Sequence, residues 1–193
     1  MNEILYIMCG NPSLEITRYN ILRNQKTSLF ILSVPFSDPI AENPDIQKEN
    51  MIALKNNTTI NKIFEMLDDV KDKNKVDIVL RVYANIIYSY GIEDFVIRCK
   101  KVGVKGIIIA DVPYEEQDEF KIYCDKNDVK YIPTISKASK HRIEKIVKDA
   151  DYLIYLQSHP KDDIEMTLQV LRQYTKTPYI TDRQLKHIAF NIF

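Results

Sequence analysis

Short β-branched and aliphatic runs alternate with longer amphipathic stretches along the whole 193-residue chain. This alternation limits the possible folds more than any single motif does. Strand-length runs fall at residues 3–8, 29–34, 76–82, 106–109, 130–134, 152–156 and 177–180. Between them, residues 13–24 open on an N-cap serine, Ser13, and carry Leu14, Ile21 and Leu22. Residues 60–71 place Ile60, Ile63, Phe64, Leu67 and Val70 on one face of an amphipathic helix. Helices are also expected at 92–102, 114–125, 139–148 and 162–174, with a shorter, weaker one at 183–190. Buried strands joined by helices pair in parallel, and right-handed β-α repetition yields either a doubly wound sheet or a closed (β/α)8 barrel. Periodicity alone does not choose between the two. No linker, low-complexity segment or composition shift divides the chain, so one domain over residues 1–193 is expected.

Composition narrows the function classes. Lys and Arg total 27, as do Asp and Glu, so the formal charge is zero and no basic stripe offers itself to nucleic acid. The longest apolar runs, such as 106–110, are strand-sized, and the N-terminus has no basic segment followed by an apolar stretch. No membrane association and a cytoplasmic location are therefore expected. Cys9, Cys99 and Cys124 form no C-x-x-C pair and join no ligand-spaced cluster, so they read as buried or incidental thiols with no metal. Glycine is scarce. The only four are Gly10, Gly91, Gly103 and Gly106, so neither a G-x-G-x-x-G nor a Walker loop exists.

The sharpest motif follows the second strand. Val34-Pro35-Phe36-Ser37-Asp38-Pro39-Ile40-Ala41-Glu42-Asn43-Pro44 places three prolines and two carboxylates at the carboxyl end of a buried strand, where β/α folds carry their active sites. A stiff loop held by turn hydrogen bonds would need the same residues. Strand three ends in Arg81-Val82-Tyr83-Ala84-Asn85 and strand four in Ala110-Asp111-Val112-Pro113. Asp111 and Asn85 could equally be cap or turn residues.

Together these segments resemble the tryptophan synthase alpha chain family. The likeness starts at Tyr6-Ile7-Met8 and Gly10-Asn11-Pro12, is strongest over residues 34–47, and continues through Tyr83-Ala84-Asn85, Gly91-Ile92-Glu93 and Ala110-Asp111-Val112-Pro113. Past about residue 135 it fades to Tyr155 and Thr177-Pro178. The resemblance implies a (β/α)8 TIM barrel. It implies retro-aldol cleavage of indole-3-glycerol phosphate to indole and glyceraldehyde 3-phosphate, a step of tryptophan biosynthesis. It also implies a pyridoxal-phosphate-bearing β chain as partner, with no cofactor on the α chain itself.

The departures from the family pattern matter as much as the matches. The family's acid-base glutamate lies four residues before the first proline of P-F-S-D-P, and that position is Ile31. Isoleucine neither gives nor takes a proton, and losing such a group typically costs about 10² to 10⁴ in rate. The family's indole-facing aspartate aligns with Glu42, which keeps the carboxylate with one more methylene. Arg81 replaces an apolar indole-contacting residue, and Tyr83 and Tyr155 complete the expected pocket. A guanidinium in that place needs an anion beside it, so two readings stand: Arg81 pairs with Glu42 and fills the pocket, or it snorkels to solvent. The positions that face the β chain in the family match Asp38, Pro39, Asn85, Asp111 and Pro113.

The phosphate loops are expected to be lost. Residues 155–163 contain no glycine, with His159 and Lys161 the nearest cations, and Tyr179-Ile180-Thr181-Asp182 lacks the family's Gly-Phe-Gly. Only 13 residues follow Ile180, and closed eight-stranded barrels typically need about 250 residues. The expectation is thus a barrel truncated to about seven strands and incompletely closed. Phe190, Ile192 and Phe193 or a second copy of the chain would cover the open edge. Three functions remain: an impaired relative serving as a non-catalytic β-chain partner, a lyase using Glu42, and an inert self-associating remnant.

Overall fold

The computed structural model describes residues 3–40, 42–136, 139, 142–157, 165–181 and 186–187. Four parallel strands form its spine: β1 (Ile4–Met8), β2 (Leu29–Ser33), β3 (Asp77–Val82) and β4 (Val104–Ile109). Their order follows the chain, and each is nearly buried along its length, as parallel strands walled by helices must be. Period-two alternation sorts the side chains onto two faces. Leu5, Ile7, Phe30, Leu32, Ile78, Leu80, Ile107 and Ile109 pack outward on the helices. Tyr6, Met8, Ile31, Val79 and Ile108 point the other way, into a second apolar cluster shared with Ile132, Tyr155 and Ile180. Such an inner cluster is the filled interior of a barrel.

Between β1 and β2 lies α1 (Leu14–Arg23), whose first turn is capped by Ser13 accepting from the Ile16 N–H at 3.3 Å. Two helices fill the β2 to β3 crossover, α2 (Pro44–Lys55) and α3 (Ile60–Val70). The second of these has the apolar face expected of it, with Ile63, Phe64, Leu67 and Val70 buried. After β3 come α4 (Ala84–Tyr90) and α5 (Ile92–Lys101), and after β4 comes α6 (Asp118–Lys126). Neither α2 nor α4 is among the helices expected from the sequence. Gly10 ends β1 with φ of 86°, and a Cβ there would meet the Thr58 hydroxyl at 1.9 Å, so this turn admits only glycine.

The fifth barrel position is broken in two. β5 (Lys130–Tyr131) pairs with β4, whereas β6 (Thr134–Ile135) pairs with β7 (Ile154–Leu156), which in turn pairs with β8 (Tyr179–Thr181). Pro133, which has no N–H to give, lies at the crossover and accepts from the Tyr155 N–H at 3.0 Å. The wall therefore passes from one ladder to the next within a single stretch of chain. Helices α7 (Ile143–Lys148) and α8 (Glu165–Tyr174) contribute Ile143, Ile146 and Leu171 to the apolar cluster outside this second ladder.

Seven barrel positions are thus occupied by residues 4–181, and among the described residues the sheet is not closed by hydrogen bonds. One expectation is corrected. Residues 186–187, placed within a weak helix at 183–190, instead form a two-residue strand, β9 (Lys186–His187), parallel to β1. Backbone pairing with the free edge of β1 supplies what helix propensity was expected to supply. His159, Lys161, Asp182, Phe190, Ile192 and Phe193 lie outside the described residues. Among the described residues no helix is long and apolar enough to cross a membrane.

Candidate active site at the mouth of the barrel

The parity of β3 dictates the chemistry of the site. Val79 faces the barrel interior, so Arg81, two residues on, does too. It stands beside Ser33 of β2 and Ile108 of β4 in the ladder register and is only 3% exposed. A guanidinium there carries a desolvation cost of several kcal/mol, which only an adjacent anion and hydrogen bonds offset. The chain provides the anion from the loop after β2. Arg81 Nη2 donates to Glu42 Oε1, forming a buried ion pair, and the Tyr83 hydroxyl donates to the same oxygen at 2.8 Å. Snorkelling to solvent, the rival arrangement, does not occur. Arg81 Nε is buried without a hydrogen-bond partner.

Three tyrosines surround this pair. Burial by itself would disfavour the cation, but the groups around it, the Glu42 carboxylate among them, hold the Arg81 proton more firmly than in water. At neutral pH Tyr6 and Tyr83 are uncharged, because burial pushes the Tyr6 hydroxyl up to about 12 and raises that of Tyr83 as well. Glu42 is therefore the anion that matters. Tyr83 also stacks on Phe36, with ring centroids 4.3 Å apart and 15° between planes, while Arg81 lies 5.8 Å from the Tyr83 ring centre.

Ile31 lies below, fully buried among Tyr6, Met8, Val79 and Ile108. Its surroundings are those of a core residue, and it offers no proton. Sequence reasoning missed a second carboxyl, Glu49 of α2. Half-buried one turn after Asp45, it is pushed up to about 7, first by burial and then by the Asp45 charge. Its field also reaches Tyr6. The signal that could have found it is the Asn43-Pro44 pair read as a helix start, since the inward spacing of Ile46, Asn50 and Ala53 then places Glu49 near the mouth.

The other expected residues sit on the rim. Asp38, Asn85, Asp111 and Pro113 are exposed and Pro39 is half-buried, all beyond the carboxyl ends of β2, β3 and β4. Asp111 does the work of a cap, accepting from the Ala84 N–H at 2.8 Å and so fixing the first turn of α4 from the neighbouring strand end. Asn85 borders a cleft of about 420 Å³, walled by Val34, Pro35 and Phe36 on one side and by Leu54, Ile60 and Tyr90 on the other. The thiols of Cys9, Cys99 and Cys124 are buried and unpaired, and burial raises each above its ordinary range, so none is a ready nucleophile. Among the described residues no group of three or more His, Cys, Asp and Glu side chains is placed to hold a metal ion.

Comparison with known proteins accords with this architecture. The family model of the tryptophan synthase alpha chain matches residues 2–181. The tryptophan synthase alpha chain of Staphylococcus haemolyticus is 41% identical over 186 residues, covering 96% of this chain and 72% of that protein. That of Alkaliphilus metalliredigens is 33% identical over 188 residues, covering 92% and 71%. Among solved structures, the tryptophan synthase alpha subunit of Campylobacter jejuni superposes with a TM-score of 0.83 at 28% identity, covering 93% of this chain and 77% of that one. A chain of the Pyrococcus furiosus tryptophan synthase complex gives 0.85 at 26%, covering 93% and 76%. With the barrel spine, the P-F-S-D-P loop and the sequence matches all in agreement, the chain belongs to the tryptophan synthase alpha chain family.

Proposed function

We propose that the chain is an alpha-chain relative with little or no indole-3-glycerol phosphate cleavage of its own, acting as a non-catalytic partner of a β chain. The observation that carries this reading is Ile31 taken together with the Arg81–Glu42 bridge. Retro-aldol cleavage needs an acid to protonate indole C3 and a base to take the glycerol hydroxyl proton. Ile31 supplies neither, at the position where the family resemblance puts the acid-base glutamate. Glu42, at the family's aspartate position, is bound to a guanidinium and a tyrosine hydroxyl. A neutral indole entering the mouth would have to part this ion pair and leave two charges poorly solvated, which opposes binding.

The partner half of the proposal rests on the rim. Asp38, Asn85, Asp111 and Pro113 are all exposed and Pro39 is half-buried beyond the carboxyl ends of the strands, while the interior has isoleucine where the family resemblance puts its acid. A surface of this kind acts on a partner by binding energy alone, shifting the partner's own conformational equilibrium.

The test is a titration of the chain into a family β chain while tryptophan formation from indole and serine is followed. A rate that rises and saturates supports the reading, and an unchanged rate at micromolar excess overturns its partner half. Indole release from indole-3-glycerol phosphate, abolished by Glu42→Gln, would overturn the catalytic half.

A further inference from the structure

Glu42 belongs to the loop after β2, whereas Arg81 and Tyr83 belong to β3 and the residue that follows it. We propose that Arg81 is a built-in latch: through Glu42 it holds loop residues 36–40 and 42–43 down on the barrel mouth, and through Tyr83 and Phe36 it sets the wall of the adjoining cleft.

The contacts form a continuous chain. Arg81 holds Glu42, Tyr83 holds the same carboxylate oxygen at 2.8 Å, and the Tyr83 ring is stacked on Phe36, which lines the cleft. Each end of the loop has its own tether. The Phe36 N–H donates to Asn50 Oδ1 at 2.8 Å, and the Glu42 carbonyl accepts from Gln47 Nε2 at 2.9 Å, with both partners on α2. Within the loop the Ile40 N–H donates to the Asp38 carbonyl and the Glu42 N–H to the Pro39 carbonyl, both at 3.0 Å. What the tethers leave undetermined is whether the loop stays seated over β3, and the ion pair decides that. Lifting the loop would strip a buried cation of its counterion, so the open form is penalised far more than it would be with an apolar residue at position 81. A loop of this kind is set by the chain's own charges and does not wait for a ligand to order it.

The inference concerns contacts within one chain and goes beyond the proposed function. It is tested without a β chain, so its failure and that of the partner reading are separate results. Amide hydrogen exchange of the whole chain, compared among the native protein, Arg81→Met, Glu42→Gln and the double variant, reads the latch directly. Each single variant is expected to speed exchange at the Ile40 amide and at the amide of position 42 by at least about tenfold, and the double variant by no more than the larger single effect, because one interaction is being removed. Amides of β1 to β4 keep their protection, and the methyl resonances of Ile60 and Ile86, which border the cleft, shift. Unchanged loop exchange in Arg81→Met overturns the proposal, and unmoved methyl resonances overturn its extension to the cleft. Where Arg81→Met loosens the sheet as well, Tyr83→Phe removes only the hydroxyl contact: faster loop exchange over an intact sheet supports the latch, and unchanged exchange overturns it.

Discussion

Arg81 and Asp111 stand at the carboxyl ends of neighbouring parallel strands, and each makes a polar contact across to another segment, but on opposite sides of the barrel wall. Arg81 is turned inward and 3% exposed, and its charge is matched by Glu42 from a loop 39 residues away. Asp111 is exposed and serves one backbone N–H, that of Ala84. The difference teaches that a charge at a strand end is shaped by which face its parity selects. On the inner face it demands a partner and organises a loop, while on the rim it caps a helix locally and water does the rest.

The largest expected effect lies on the inner side. Arg81→Ala leaves Glu42 without its counterion and opens a cavity, and removing one partner of a buried pair typically costs about 3–5 kcal/mol. Urea denaturation of Arg81→Ala should show a loss in that range with an unchanged m-value. The apolar double variant Arg81→Met/Glu42→Leu should recover most of it, since a buried pair replaced by apolar side chains is often neutral. The solvent-exposed pair Lys100–Asp128, 2.8 Å apart, provides the contrast. Lys100→Ala should leave the urea midpoint unmoved, and a shift as large as that of Arg81→Ala would remove burial as the deciding factor.

A smaller loss is expected at the rim. Asp111→Ala removes an acceptor from the first turn of α4, and loss of such a cap typically costs about 1 kcal/mol. Asp111→Asn, which keeps an oxygen in the same place, should lose much less. If Asn proved as damaging as Ala, the carboxylate charge and not the hydrogen bond would be the operative feature of the rim, and rim and inner site would work by the same means.

The two sides also differ in how much the sequence reveals of them. The spine is legible because β1 to β4 are buried on both faces and therefore largely apolar, with Ser33 and Arg81 as polar exceptions near the carboxyl ends. The Arg81–Glu42 bridge is one of two readings, since a charge at an inward position must find an anion and the nearest acidic loop holds one. Helix α2 is obscured by its inner face, where Asn50 separates Ile46 from Ala53 and weakens the apolar period. The loop prolines on its N-terminal side also point to turn chemistry. Residues 186–187 carry no strand pattern at all, and only the unpaired edge of β1 recruits them. Glu49 is hidden with α2, because its place near the mouth follows from a helix that the sequence conceals.

Glu49 supplies the smallest effect and the sharpest contrast with Glu42. Glu42 has a guanidinium beside it, whereas the carboxyl of Glu49 is raised to about 7 by desolvation and then by Asp45, against 4.5 for the ordinary group. The folded chain therefore holds this proton more tightly than the unfolded chain does. Stability from Glu49 is complete below pH 4.5 and declines as pH rises from there to about 7. Above that the group is charged in both states and the penalty is constant. Because the side chain keeps considerable contact with water, the penalty falls short of what the full shift would imply. Glu49→Gln removes the titration while keeping the shape. The variant and the native chain should unfold at the same urea concentration near pH 4, and the variant should pull ahead between pH 5 and 7 and keep a fixed lead at pH 8. A lead already present at pH 4 would assign the gain to packing, and no lead at pH 8 would mean that α2 lets this carboxylate reach water.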